Sequence, residues 1–402
     1  MTDATAGFDS VTPLPGALET LAGACTPIDR TEQLALVDAA DRVLAEPIVA
    51  QRSIPAYERV AMDGYAVEPA DTFEASGRSP AVLTIGSSVG NGTAVPVNTG
   101  DELPDGAGAV VKIEGTERHG DRVEIFERVA GRDNVAPVGE DVADDQKLFE
   151  PGHQLRPSDL ALCKAAGLSR VTVYEQPAVS VIPTGEELVQ DSPDPGQTIE
   201  TNGQMVTQYV EQWGGVAAYN ETVPDDHEAL TNTVRDALDH DMIVTTGGSS
   251  VGARDLLPSV VEELGTLHVH GVAISPGHPV GLGMIEETPI VVAPGYPVAC
   301  LIAAVQCVRP LLKQVGHLPV APLPTTEARL TRKLPSEPGV QTFARVTLDQ
   351  TTDPPTATPT RTRGAGVLSS VALADGWVVI DRASEGIPRD AMVTVENWEA
   401  HR

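Results

Sequence analysis

The stretch from residue 241 to residue 255 constrains the fold most, because it has the pattern of a buried strand, a glycine-rich turn and a helix start. Residues 242–245 form a short apolar run rich in β-branched side chains, as expected of a strand buried on both faces. The turn after it contains Thr246, Gly247, Gly248, Ser249, Ser250 and Gly252. An apolar helical face follows and ends at Gly265.

The glycine-rich turn is a candidate anion site. Glycines let the backbone approach a ligand closely, and free backbone N–H groups at the start of a helix suit a phosphate. An ordinary strand-to-helix turn has the same pattern, so the glycines alone do not separate the two. Asp255 lies just past the turn, and a carboxylate there favours a phosphate bound together with a divalent metal.

The alternation of strand and helix extends over the middle of the chain. Strands are predicted at 178–182, 216–219, 242–245 and 267–274, with a hairpin of 281–285 and 290–292. Helices are predicted at 202–213 (capped by Asn202), 226–239 and 256–264, and a long apolar helix at 297–315. This alternation predicts a three-layer, doubly wound α/β domain with a largely parallel sheet. Ligands of such sheets lie beyond the carboxyl ends of the strands, so the loops at 183–187, 246–252, 275–279 and 294–297 should converge at one edge.

The flanking segments predict smaller modules. Residues 31–49 have the apolar pattern of an amphipathic helix, and 157–167 that of a helix with Ser158 as its N-cap. Short strands alternate with turns from about residue 80 to residue 145, which indicates an inserted β-rich module. Prolines from 319 onward mark a linker into a strand-rich region, predicted to be a small β-barrel or sandwich with a loop at 351–360.

These patterns together predict a multidomain α/β protein. Its parts are an N-terminal α+β region of residues 1–50 with 146–177, an inserted β-rich module of 51–145, the α/β domain of 178–318, and a C-terminal β-barrel of 319–402.

Charge excludes two classes of partner. The chain has 57 acidic and 27 basic residues, a formal net charge of −30. Such a field repels nucleic acid and anionic membrane, so neither is expected as a partner. Lysine is rare and aromatic residues are 3% of the chain. This composition is typical of a protein kept soluble in concentrated salt, and we expect a halophilic archaeal source.

The four cysteines show no Cys-x-x-Cys pair and no histidine at zinc spacing, so we expect buried thiols. No charged-then-apolar leader and no long uncharged apolar span is evident, and we expect a cytoplasmic protein.

Several motifs follow one another along the chain: the run from Ile54-Pro55 through Ala61-Met-Asp-Gly-Tyr-Ala66, Asn98-Thr-Gly100, Gly139-Glu-Asp141, Pro183-Thr-Gly-Glu-Glu-Leu188, residues 245–255, Pro276-Gly277, Pro335-Ser-Glu-Pro-Gly339, Phe343-Ala-Arg-Val346 and Gly366-Val-Leu-Ser-Ser370. In this order they resemble the MoeA family of molybdopterin molybdenumtransferases. The Ala-Met-Asp-Gly-Tyr-Ala run is the most specific, because the glycine-rich turn also occurs in the adenylyltransferase that acts one step earlier.

The resemblance implies a molybdopterin-binding α/β domain and a homodimer whose site joins the α/β loops of one chain to the Asp63 region of the other. The implied substrates are adenylylated molybdopterin (molybdopterin-AMP) and molybdate or tungstate. Mg²⁺ is implied as the metal that assists loss of AMP, and the upstream adenylyltransferase is a possible partner.

The resemblance also assigns roles by motif position. The catalytic positions are Asp63, Asp141, Glu187, Asp225 and Asp255, of which Asp255 and Glu187 would hold the metal. The substrate-binding positions are Thr99, Thr184, Gly185, Thr246, Gly247, Gly248, Ser249, Ser250, Gly252, Ser275, Gly277, His278, Gly295, Tyr296, Ser369 and Ser370.

The chain departs from the family in the loop that would bind the oxyanion. The usual Lys-Val-Ala-Ile-Lys-Pro-Gly-Lys-Pro is here Gly-Val-Ala-Ile-Ser-Pro-Gly-His-Pro, so Gly271, Ser275 and His278 replace three lysines. Tyr296 and Gly203 stand where the family usually has Asn and Arg. Two functions therefore stay open: an active transferase, or a catalytically weakened paralogue that binds the cofactor or acts as a scaffold. The adenylyltransferase step is a third, disfavoured by the added N- and C-terminal domains.

Overall fold

The structure is a computed structural model that describes residues 11–249, 256–360 and 365–400. The chain forms two compact units, a small unit of residues 33–173 and a large unit made of the residues before and after it. Helix α1 (Leu14–Ala22) belongs to the large unit and buries Leu14, Ala17 and Leu21.

The residues predicted as a helix at 31–49 are not helical, and that prediction is wrong. They form strand β1 (Thr31–Ala35), a 3₁₀ turn (Leu36–Asp38) and strand β2 (Ile48–Val49). Val37 is 84% exposed, so the apolar residues do not share one helical face. Asp41 has a φ of 62°, a left-handed conformation that a helix cannot contain.

The small unit is built on a six-stranded sheet in the order β7-β4-β6-β5-β9-β8. Its strands are β4 (Gly64–Val67), β5 (Ala81–Ile85), β6 (Thr93–Val97), β7 (Ala109–Lys112), β8 (Thr116–His119) and β9 (Arg122–Ile125). Two-stranded pairs join β3 (Arg59–Val60) to β10 (Val135–Ala136), β2 to β11 (Lys147–Phe149), and β1 to β12 (Arg170–Tyr174). The predicted β-rich module is therefore present.

Helix α2 (Pro157–Ala165) confirms the predicted helix, but Ser158 is not its N-cap. Arg156 holds that position, and its backbone N–H donates to the Asp159 carboxylate at 2.9 Å. Proline favours the first helical position, because its missing N–H would be unpaired there anyway. The helix therefore starts two residues earlier than an N-cap at Ser158 would place it.

The large unit contains a second six-stranded sheet, in the order β16-β13-β17-β21-β20-β18. The helices and strands in this part of the large unit are β13 (Ala178–Pro183), β14 (Leu188–Val189), β15 (Thr198–Ile199), α3 (Asn202–Gln212), β16 (Val216–Tyr219), α4 (His227–Asp236), β17 (Met242–Thr246), α5 (Leu257–Leu264), β18 (Thr266–His270), β19 (Ile274–Ser275), β20 (Gly281–Ile285) and β21 (Thr288–Ala293). Strands β16, β13, β17 and β21 are parallel, and β20 and β18 continue the sheet antiparallel.

Both faces of this sheet are covered, as the three-layer prediction requires. On the central strand β17, Met242 and Val244 belong to one apolar cluster with residues of α1 and α3. Ile243, between them, belongs to a second cluster with Leu230 of α4 and residues of α5. Successive side chains of a strand point to opposite faces, so the sheet has helices on both sides.

The long apolar helix is present as α6 (Pro297–Ala303), a π-helical turn (Ala304–Val308) and α7 (Arg309–Val315). By length and composition it could cross a membrane, but 83% of its apolar window is buried inside the protein. It is accordingly a core helix that packs against the sheet.

The C-terminal strands close into a barrel, which confirms that prediction. Strands β24 (Gln341–Asp349), β25 (Thr356–Pro359), β22 (Thr325–Leu330), β28 (Met392–Glu396) and β26 (Gly376–Ile380) form a ring in which β26 pairs back to β24. A short pair, β23 (Leu334–Pro335) with β27 (Gly386–Ile387), and helix α8 (Ser369–Ala372) complete the region. The loop predicted at 351–360 is wrong over β25, because closing the ring needs a strand between β22 and β24.

Candidate functional site

The carboxyl ends of three parallel strands meet at one edge of the sheet in the large unit. Strands β13, β17 and β21 end at Pro183, Thr246 and Ala293. The backbone N–H of Thr184 donates to the Thr246 carbonyl at 3.2 Å, and that of Gly247 donates to the Ala293 carbonyl at 2.9 Å. The predicted convergence is confirmed for the turns that follow these strands.

Gly247 allows this close approach. Its φ is +126°, and a Cβ built there would lie 2.5 Å from the Thr184 carbonyl oxygen. A side chain at this position would therefore push the two turns apart, so the close approach of the two backbones requires glycine here.

Buried polar atoms accumulate at this edge. The hydroxyls of Thr184 and Thr246 and the side-chain oxygen of Asn202 are buried without a hydrogen-bond partner among the described residues. An unpaired buried polar atom is costly, and a group of them indicates a place where water, an ion or a ligand binds. These three neutral groups suit the polar atoms of a ligand bound at the edge.

Asn202 has a role that sequence reasoning missed. It does not cap α3: the helix starts at Asn202 itself, and the buried Glu200 carboxylate accepts from the Gly203 N–H at 2.7 Å. The Asn202 amide instead donates to the Gly295 carbonyl at 2.7 Å. It thereby connects the start of α3 to the turn after β21, which contains the predicted substrate-binding residues Gly295 and Tyr296.

The loop after β19 lies against the same region. Ser275 pairs with Thr342 of the barrel strand β24. Gly277 has a φ of +116°, and a Cβ there would lie 3.3 Å from the Ala299 carbonyl in α6. Because α6 begins directly after Tyr296, the loop predicted at 275–279 lies close to the loop predicted at 294–297. The carbonyl of His278 accepts from the Val272 N–H at 2.8 Å, which fixes the loop backbone.

A turn of the C-terminal region reaches Tyr296. The Val298 N–H donates to the Ala365 carbonyl at 2.9 Å, and a Cβ at Gly366 would lie 3.3 Å from the Tyr296 ring. Farther along, Ser370 is buried and its hydroxyl donates to the Val367 carbonyl at 2.7 Å, whereas Ser369 is exposed.

Two of the three acids predicted in the large unit, Glu187 and Asp225, are described and lie near the first turn. Glu187 is exposed two residues after Gly185, whose N–H donates to the Val223 carbonyl at 3.1 Å. Asp225 follows Val223 by two residues and is half-buried, so it lies near the same turn. Ser250, Gly252 and Asp255 are outside the described residues.

The small unit holds the other two predicted acids. The exposed Asp63 carboxylate accepts hydrogen bonds from the Thr99 N–H and hydroxyl, both at 2.7 Å. These donors, the backbone N–H first, lower the pKa of Asp63 because they stabilise its charged form. The Asp141 N–H donates to the Ile54 carbonyl at 3.0 Å, which anchors that acid to the motif before Asp63.

A cleft of about 530 Å³ opens in the small unit. It is lined by Arg59, Val60, Ala61, Thr99, Gly100, Asn134, Val135, Ala136 and Glu140. The size falls in the range of small-molecule sites. Thr99 ties the cleft to Asp63, and Glu140 adjoins Asp141. Sequence reasoning missed Arg59, Asn134 and Glu140, although Arg59 and Glu140 lie within quoted motifs.

The described residues contain no group of three or more His, Cys, Asp or Glu side chains that could hold a metal ion. Mg²⁺ commonly takes only one or two carboxylates, with substrate phosphates and water as its other ligands. Exposed Glu187, three residues after Thr184 and its unpaired hydroxyl, fits a site of that kind.

Comparison with known proteins gives consistent matches along the chain. Three family models match: "MoeA N-terminal region (domain I and II)" at residues 12–167, "Probable molybdopterin binding domain" at 180–314, and "MoeA C-terminal region (domain IV)" at 327–398.

Curated proteins and a crystal structure match over similar lengths. Molybdopterin molybdenumtransferase 2 of Mycobacterium tuberculosis is 33% identical, with 81% of this chain and 84% of that protein covered. Molybdopterin molybdenumtransferase of Bacillus subtilis is 30% identical over 91% of this chain and 89% of that protein. The crystal structure of a molybdopterin biosynthesis MoeA protein from Pyrococcus horikoshii superposes with a TM-score of 0.83 at 32% identity, covering 97% of this chain and 100% of that one.

Proposed function

The chain belongs to the MoeA family, and on that basis we propose that it is a molybdopterin molybdenumtransferase of molybdenum-cofactor synthesis. In this proposal it inserts molybdate or tungstate into adenylylated molybdopterin and releases AMP. The observation that carries it is the set of buried, unpaired oxygens on Thr184, Thr246 and Asn202 at the edge where the parallel strands end.

The chemistry places two demands on the site. The linkage between molybdopterin and AMP carries negative charge that must be neutralised, and the attacking oxygen must be held in line with the bond that breaks. The hydroxyls of Thr184 and Thr246 are neutral donors without a partner among the described residues, and Gly247 has no side chain that would cover the Thr184 hydroxyl. These features support binding and orientation of a phosphate-bearing substrate.

The acids have separate roles in the proposal. Glu187 and Asp255, with the substrate's phosphates, would hold Mg²⁺, which when bound supplies charge neutralisation at the phosphates. Asp63 stays ionised through its two bonds from Thr99, so it acts as a fixed carboxylate that accepts hydrogen bonds or orients a water molecule. Asp141 and Asp225 are proposed to help position the reacting groups.

We further propose that the enzyme is a cytoplasmic homodimer whose complete site uses residues of both chains. Mixing Asp63→Ala chains with Asp255→Ala chains tests this. A verified heterodimer should recover part of the activity that each variant has lost, because one of its sites is intact. No recovery would argue for a site within one chain.

The test of the reaction is incubation of the protein with adenylylated molybdopterin, Mg²⁺ and molybdate, followed by measurement of AMP. We expect oxyanion-dependent release of AMP that is lost on chelation of the metal and nearly abolished in Asp255→Asn, with folding unchanged by circular dichroism. If Asp255→Asn turns over at the parent rate, the metal assignment is wrong. Substrate binding without turnover by the parent would indicate a catalytically weakened paralogue instead.

A further inference from the structure

Arg59 is the single Lys or Arg among the nine described residues that line the cleft of the small unit. The acidic residues around it include Glu140 in the lining, Asp63 bonded to the lining residue Thr99, and Asp141 next to Glu140. In a chain with a net charge of −30, an anionic ligand would be repelled from such a cleft without a local cation.

Arg59 is exposed, and no carboxylate oxygen of the described residues lies within 4.0 Å of its guanidinium nitrogens. Neighbouring arginines differ in this respect. Arg132 forms an ion pair with Glu58, and Arg52 donates to the Ala165 carbonyl at 2.8 Å. An anion can therefore bind Arg59 without breaking an ion pair among the described residues.

The backbone at Arg59 is held on both sides. Arg59 pairs with Ala136 of β10 on one side and forms a bridge with Glu102 on the other. The next residue, Val60, donates its N–H to the Asp101 carbonyl at 2.9 Å. The Arg59 side chain therefore starts from a fixed backbone position in the lining of the cleft.

We propose that Arg59 binds a tetrahedral oxyanion in this cleft and is a specificity residue for the reaction. The inference rests on the proposed function, and the oxyanion is either molybdate or a phosphate of the adenylylated substrate. Both have the geometry that a guanidinium fork binds through two N–H groups. Thr99, Asn134 and Glu140 provide further polar atoms in the lining.

The experiment compares Arg59→Gln with Arg78→Gln, an exposed arginine of the same unit that does not line the cleft. Both variants change the net charge equally, so a difference in affinity between them cannot come from the overall charge of the protein. Calorimetric titrations with molybdate, and separately with adenylylated molybdopterin, are done at one ionic strength after thermal melts have shown equal folding. We expect one of the two affinities to fall roughly ten- to hundredfold in Arg59→Gln only, the loss of a charged hydrogen-bonded contact.

Loss of molybdate affinity would assign Arg59 to the free oxyanion, and loss of adenylylated-substrate affinity alone would assign it to the phosphate. Equal affinities for both ligands in Arg59→Gln and Arg78→Gln would overturn the proposal. Should Arg59→Gln not fold, Arg59→Lys is the second variant, because lysine keeps the charge but lacks the planar guanidinium that donates two parallel hydrogen bonds. An unchanged affinity in Arg59→Lys would contradict bidentate binding. A parent that binds both ligands but releases no AMP refutes the proposed function and leaves the Arg59 comparison valid, whereas a parent that binds neither overturns both.

Discussion

The carboxylate of Asp63 accepts two hydrogen bonds from Thr99, one from its N–H and one from its hydroxyl, each at 2.7 Å. The two residues lie 36 positions apart in the chain and meet at the cleft of the small unit. Because both bonds favour the charged carboxylate, the pKa of Asp63 is below its usual value, and the group stays ionised in mildly acidic solution.

Removal of the Thr99 hydroxyl should move the acid limb of activity. In Thr99→Val one of the two donors to Asp63 is lost, so the pKa of Asp63 rises toward its ordinary value and the carboxylate protonates at higher pH. We expect the acid limb of the kcat/KM profile to shift to higher pH, with most activity kept near neutrality. Thr99→Ser retains a hydroxyl and is the matched control. Coincident acid limbs for the parent and Thr99→Val would show that Asp63 does not govern that limb.

Glu200 should stabilise the start of α3. Its buried carboxylate accepts from the Gly203 N–H at 2.7 Å and from the Tyr219 hydroxyl at 2.5 Å. Glu200→Ala leaves both donors without this acceptor, so the free energy of unfolding should fall by about 2 kcal/mol. Urea denaturation measures this. Glu211→Ala, an exposed change on the same helix, should cost less than about 0.5 kcal/mol, and equal losses in both variants would rule out a special role for Glu200.

Helices and strands were predicted well from the sequence where the pattern of buried residues is regular along the whole segment. The run at 242–245 is buried throughout, and it forms the central strand that contributes side chains to both apolar clusters. The prediction failed at 31–49, where exposed Val37 shows that nearby apolar residues do not share a face. The sequence-based prediction was also wrong at 356–359. This segment is rich in Thr and Pro, and it forms a strand because it pairs with β22 on one side and β24 on the other.

The residues of the candidate site were predictable where they belong to sequence motifs. They were not predictable where contacts between distant parts of the chain bring them together. Glycine-rich turns placed Gly247 and Gly295 at one edge before any contact was known. The bond from Asn202 to the Gly295 carbonyl spans 93 positions, and no local pattern indicates it. Arg59 lies in a recognisable motif, but only the folded small unit shows that it lines a cleft.

Oxyanion affinity should fall as pH rises if His278 contributes charge. The hydroxyl of Ser275 and the backbone of Gly277 do not titrate near neutrality, whereas histidine side chains change charge there. Binding an anion beside an imidazolium favours proton uptake, so we expect molybdate to bind more tightly at about pH 6 than at about pH 8.5. His278→Lys should bind more tightly and lose the pH dependence. A flat profile in the parent that His278→Gln reproduces would mean that His278 only shapes the loop.

Stability should depend on salt if the chain is adapted to concentrated salt. With a net charge of −30, self-repulsion is strong when the Debye length is about 10 Å, at 0.1 M salt, and weak when it is about 3 Å, at 1 M. Circular dichroism melts in KCl at about these two concentrations should show a higher midpoint in the more concentrated solution. Equal midpoints would remove the halophilic interpretation.

The most direct test of the central claim is the ratio of AMP released to molybdenum bound in the pterin product, measured in one reaction of the parent protein with adenylylated molybdopterin, Mg²⁺ and molybdate. An enzyme that inserts the metal as it releases AMP should give equal amounts of the two, and little of either without molybdate. Release of AMP with no metal in the product, or no AMP release from bound substrate, would contradict the assignment as a molybdenumtransferase.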